Sequence, residues 1–125
     1  MFTDTKAFSG FAVTDLAKAQ RFYGETLGLR TSVLQEGVLI SLHLAGDRDT
    51  LVYEQPDATP ASYTILNFPV PDVEAAVDEL TAHGVELLRY EGFEQDEKGI
   101  ARGEGPLIAW FKDPSGNVLA VLDEM

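Results

Sequence analysis

Whatever chemistry this chain performs, it performs without sulfur. There are no cysteines, which removes disulfides, thiolate metal sites and cysteine nucleophiles together. Two histidines remain. His43 lies in ISLHL, where it alternates with apolar neighbours and shares a face with Ser41 and Leu39. It can act as a general base only beside an orienting partner, and the sequence displays none. His83 precedes Gly84 at an expected helix end, where a cationic ring favours the helix dipole. No serine sits in a nucleophile elbow. The glycines of GIARGEG (99–105) are followed by no helix, so they form no phosphate loop. The remaining candidates are aromatic and polar side chains inside strand patterns: Tyr53 in LVYE, Asn67 in TILNFPV and Trp110 in IAWFK. Glu91, Glu94, Asp96 and Glu97 in YEGFEQDE form an acidic cluster that either meets a cationic ligand or faces water.

The bulk properties narrow the partners. The 125 residues carry nine basic and 21 acidic side chains, a net charge of −12. Nucleic acid is an unfavourable partner, because phosphate binding requires basic patches. With 45% hydrophobic and 10% aromatic residues the chain can build a core, and the length suits a single domain. No apolar run approaches the roughly 18 residues of a membrane helix. The opening MFTDTKAFSG lacks a basic segment followed by a greasy one, so cytoplasmic residence is the default expectation.

The elements that must position these residues come in a repeating order. A strand is expected at 7–13, then a helix capped by Asp15 whose apolar face is Leu16, Ala19, Phe22, Tyr23 and Leu27, stopped by Gly28. Strands follow at about 29–35, 37–45 and 50–55. After a polar, proline-containing stretch the order begins again: a strand at 64–70, a helix capped by Asp72 with Val73, Ala76, Val77 and Leu80 on one face, a stop at Gly84, and strands at about 85–90, 107–112 and 117–123. Asp113-Pro114-Ser115-Gly116 makes the last turn. The 91–106 loop is long enough to be a lid or another functional segment.

FAVTDLAKA (11–19) aligns with FPVPDVEAA (68–76) at an offset of 57, and Gly28 matches Gly84 after a one-residue gap. The organisation is therefore an α+β domain over 1–125 of two βαβββ modules, 1–55 and 63–125, joined by a linker at about 56–62. Neither half buries much alone.

FAVTDLAKAQRFYGETLGL, FPVPDVEAAVDELTAHGVEL and IAWFKDPSGNVLAVLDE together resemble the vicinal oxygen chelate superfamily of glyoxalase I, extradiol dioxygenases, fosfomycin-resistance enzymes and bleomycin-binding proteins. The resemblance spans nearly the whole chain. It implies mixed sheets curled around a cavity, helices on the outer face, a homodimer, and in some members a divalent ion held by histidine and glutamate. At the corresponding positions this chain has Phe8, Ile65 and Ala120, which have no lone pair to give. The fourth position falls near Glu54 at a strand end. No metal and no other cofactor is therefore expected.

The resemblance implies a cavity side chain three residues before the turn's aspartate, which is Trp110; strand parity adds Phe8, Ile65, Asn67 and Ala120, and Tyr53 and His43 are further ligand-binding candidates around an apolar and aromatic cleft. The expected function is metal-independent binding of a small aromatic or cationic molecule, as in the bleomycin-resistance branch. The alternative is a lyase, isomerase or dioxygenase of the same superfamily working through unrecognised ligands or through His43, Glu54 or Tyr53. A third reading is a regulatory or partner domain with a vestigial pocket. No membrane partner is expected.

Overall fold

Asp15 and Asp72 begin the two helices in the same way. Each sits in extended backbone, and its carboxylate accepts a backbone N–H three residues on, from Lys18 and Ala75 at 3.0 Å. The structure, a computed structural model, describes residues 1–103 and 105–124. The chain divides into two compact units, Met1–Thr59 and Pro60–Met125.

In the first unit β1 (Ser9–Val13) leads into α1 (Leu16–Arg21), which continues as a π-helical turn over Phe22–Thr26. Gly28 follows with φ 74°, a left-handed stop that a side chain would strain. Strands β2 (Arg30–Gln35), β3 (Leu39–Leu44) and β4 (Arg48–Glu54) complete a sheet of order β1-β4-β3-β2. β1 runs parallel to β4, and the other pairs are antiparallel.

One face of this sheet packs on the helix. Phe11 meets the Tyr23 ring at 5.6 Å, and Glu54 Oε2 accepts the Leu16 N–H at 2.9 Å. Val13, Ile40, Leu42 and Val52 on that face are fully buried, with Leu16, Ala19 and Tyr23 from the helical segment. Because successive side chains alternate, Gly10, Ala12, Ser32, Ser41, His43, Asp49, Leu51 and Tyr53 occupy the opposite, open face.

The second unit repeats this arrangement with β5 (Thr64–Val70), α2 (Val73–Ala82), β6 (Ile108–Lys112) and β7 (Val118–Asp123) in the order β5-β7-β6. The parallel β5–β7 pair matches β1–β4, and antiparallel β6–β7 matches β3–β4. Phe111, Leu119, Ala109 and Val121 fill the core with Val73 and Val77 of α2.

The strand expected at 85–90 does not form. Its hydrophobic run approaches β6 only through a Leu87–Phe111 bridge and a Leu88 N–H donated to the Trp110 carbonyl at 2.8 Å. The Gln95 side chain takes the place of a ladder: its oxygen accepts the Tyr90 N–H, and its amide donates to the Leu88 and Gly99 carbonyls, all at 2.8 Å.

The DPSG turn is closed by a buried pair. Asp113 accepts the N–H groups of Ser115 and Asn117 at 2.9 Å and the Asn117 side-chain amide at 3.0 Å. Asn117 in turn accepts the Ala61 N–H at 3.0 Å, which fixes the entry to the unit. No helix among the described residues is long and apolar enough to cross a membrane.

Candidate functional site

The register of the second unit sets Asn67, Ala120 and Trp110 side by side across three strands, on the face opposite the core pairs Phe68–Val121 and Val121–Ala109. Ala120 is fully buried in the middle of this row. Trp110, Ile65, Ile108 and Leu122 are half-buried, while Asn67 is exposed.

Two further rings complete an aromatic cluster. Tyr90 and Phe93 each lie 5.3 Å from Trp110 between ring centroids, at interplanar angles of 85° and 55°. They stand 6.4 Å from each other. These are the edge and tilted geometries that aromatic quadrupoles favour. Phe93 nevertheless keeps 57% of its surface exposed, so the cluster presents apolar area to solvent. The Gln95 clamp holds the turn that carries Tyr90 and Phe93 against β6. Sequence reasoning missed both rings and Gln95. The available signal was the pair of aromatics bracketing the acidic stretch YEGF at the mouth of a long loop.

That loop is tethered rather than free. Ile100 and Ala101 are buried. Lys98 pairs with Asp78 at 2.9 Å, and Arg102 bridges Asp96, at 2.7 Å, to Glu74 of α2. Partial burial pushes the Asp96 carboxyl up. The Arg102 guanidinium and the Ile100 and Lys98 amides outweigh this and hold it below the ordinary carboxylate range. The hydrogen bond to Asp78 raises Lys98, and that to Asp96 raises Arg102. Asp96 is thus spent within the loop.

In the first unit Phe8 lies just before β1 and is 72% exposed. With Lys6, Asp49 and Thr50 it lines a groove of about 410 Å³. Tyr53 is half-buried on the open face of β4. His43 is not isolated, as its sequence context suggested. Its Nε2 lies 2.7 Å from Ser32 Oγ and its Nδ1 2.9 Å from Asp49 Oδ1. His83 Nδ1 donates to the Glu79 carbonyl at 2.8 Å and closes the end of α2.

The residues at the metal positions do not fit a divalent ion. Phe8, Ile65 and Ala120 carry no donor, and Glu54 is engaged by the first turn of α1. Among the described residues no three histidine, cysteine, aspartate or glutamate side chains come together as a ligand set.

Known proteins give this architecture a family. Solved structures include TnmS3, an antibiotic binding protein from Streptomyces sp. CB03234, at 25% identity and TM-score 0.71, covering 98% of this chain and 99% of that one. A superfamily member from Sphaerobacter thermophilus DSM 20745 matches at 22% identity and TM-score 0.68, covering 94% and 97%. Lactoylglutathione lyase from Agrobacterium tumefaciens matches at 21% and TM-score 0.63, covering 94% and 93%; these last two likenesses are of fold alone. No curated protein matches the sequence. The Glyoxalase/Bleomycin resistance protein/Dioxygenase family model matches residues 7–121, and the chain belongs to that superfamily.

Proposed function

We propose that the protein binds a small planar molecule, aromatic or cationic, by ring contact and without a metal ion. The observation that carries this is the Trp110–Tyr90–Phe93 cluster, half-buried at Trp110 and Tyr90 and exposed at Phe93, with Ala120 beside Trp110 at the position where the family resemblance implies an acid in metal-using members. A ring or cation over the indole gains roughly 0.5–2 kcal/mol. Asn67, exposed in the same row, supplies a hydrogen bond to orient the guest. Ile65 belongs to the apolar surround. Phe8, Tyr53 and His43 lie on the first unit and are proposed as ligand contacts of that unit by itself. The net charge of −12 draws cations toward the surface. TnmS3, an antibiotic binding protein, supports the binding class. A cytoplasmic homodimer completes the reading.

The test is a thermal-shift series with N-methylacridinium, a planar cation, and with neutral acridine. A probe at 100 times its Kd adds about 2.7 kcal/mol of stability. A dose-dependent rise in unfolding temperature supports the reading. No shift with either probe or with other planar aromatics overturns it and favours a domain that meets a protein partner.

A further inference from the structure

Three strands of the first unit each send one polar side chain to a single spot on its open face: Ser32 from β2, His43 from β3 and Asp49 from β4. The arrangement lies within the first unit, and apart from His43, already named as a candidate ligand contact, the proposed guest binding uses none of it. Ionised Asp49 can only accept a hydrogen bond, so His43 Nδ1, 2.9 Å away, must donate. In the neutral ring Nε2 is then the acceptor, and the Ser32 hydroxyl 2.7 Å away donates to it. A base touching a hydroxyl, with its tautomer fixed by an acid, is the arrangement that makes a serine oxygen nucleophilic.

Two neighbours extend it. Arg30 is paired directly opposite His43, two residues before Ser32 on the same face, and is exposed. A guanidinium there stabilises negative charge developing beside Ser32. Phe8 and Asp49 line the same groove, so an apolar aromatic surface adjoins the polar chain. The His43 side chain is 37% exposed, open to a substrate in solution.

We propose that Ser32, His43 and Asp49 form an acyl-transfer centre for small activated carboxylic esters with aryl leaving groups. Ser32 Oγ attacks the carbonyl carbon while its proton passes to His43 Nε2. The carbon–oxygen bond to the aryl group breaks, and that proton leaves on the phenol. Water, deprotonated by the same nitrogen, then attacks the acyl carbon, the bond to Ser32 Oγ breaks, and the proton returns from His43 Nε2 to Ser32 Oγ, releasing the carboxylic acid. The sum is ester plus water to acid plus phenol. Ser32 and His43 are the catalytic residues, and Asp49 is a positioning residue.

The test uses the full chain with p-nitrophenyl acetate, reading p-nitrophenol release and the acetylated residue by peptide mass spectrometry. Acetyl on Ser32 is expected, absent in Ser32→Ala and formed roughly 100-fold more slowly in His43→Gln, the lower end for a general base. Asp49→Asn should slow acylation and shift the ring hydrogen off Nδ1, visible in the His43 nitrogen chemical shifts. Asp49→Glu should restore both. Acetyl confined to lysines or His43, or Ser32 acetylation unchanged in His43→Gln, overturns the proposal. Should a variant unfold, diisopropyl fluorophosphate on the unaltered protein decides: selective capture of Ser32 supports the centre, and no capture refutes it.

Discussion

Replacing Trp110 with leucine separates the guest-binding role of the aromatic cluster from its packing role. The indole stands between Tyr90 and Phe93, 5.3 Å from each. Each such pair is worth about 0.5–1.5 kcal/mol beyond area burial, so losing two costs about 1–3 kcal/mol of folding stability. Leucine keeps an apolar side chain on β6 and limits the cavity. Binding loses the stacking or cation contact of roughly 0.5–2 kcal/mol, which is about 2- to 30-fold in Kd for N-methylacridinium. Trp110 is the single tryptophan, so its fluorescence reports unfolding and binding in the parent, and calorimetry measures the variant. Phe93→Ala supplies the second arm of a double-mutant cycle. As Phe93 is 57% exposed, its own truncation should cost less than that of Trp110. The cycle should return a coupling of about 0.5–1.5 kcal/mol between the rings. An unchanged Kd in Trp110→Leu with reduced stability would refute the binding role, and strictly additive stabilities would refute the ring contact.

Three further outcomes follow from other parts of the molecule. Asp113→Ala removes the acceptor of the Ser115 and Asn117 N–H groups and of the Asn117 side-chain amide, and should lower urea-unfolding stability by at least about 3 kcal/mol, at roughly 1–3 kcal/mol for each of the three lost bonds. Ala120→Glu buries a carboxylate between Asn67 and Trp110, neither of them a cation, and should cost at least about 3 kcal/mol, with no recovery on adding zinc or nickel. Asp96 ionises at lower pH when folded than when unfolded. Its stabilisation of the 91–106 loop is therefore present above the ordinary carboxylate range and disappears as pH falls through the lowered value. Hydrogen exchange at Ile100 should accelerate over that acid window, and Asp96→Asn should exchange faster at neutral pH with the acid step gone.

The helix boundaries were legible because they rest on local chemistry. Asp15 and Asp72 cap through their own side chains, and the 57-residue repeat transfers the reading from one unit to the other. That Asn67 and Ala120 each point to the face opposite the core was legible from strand parity, whereas Trp110 was placed by the family resemblance; the register across the three strands is what sets them in one row. The segment 85–90 misled because its composition asks for a strand, whereas Gln95, beyond the segment, satisfies Leu88 and Tyr90 with a side chain. The partners of His43 were hidden more deeply. Asp49 faces it directly across β4, but Ser32 lies diagonally across β2, a strand with a register shift after Val33, and sequence gives no such register. Phe93 was invisible because a loop brings it to Trp110, and loops carry no periodicity to read.

The most direct test of a metal-independent cleft is a calorimetric titration of N-methylacridinium into protein stripped with EDTA, set beside the same titration after stoichiometric zinc or nickel. The account predicts saturable binding with the same Kd in both. Binding that vanishes on stripping and returns with the ion would contradict it.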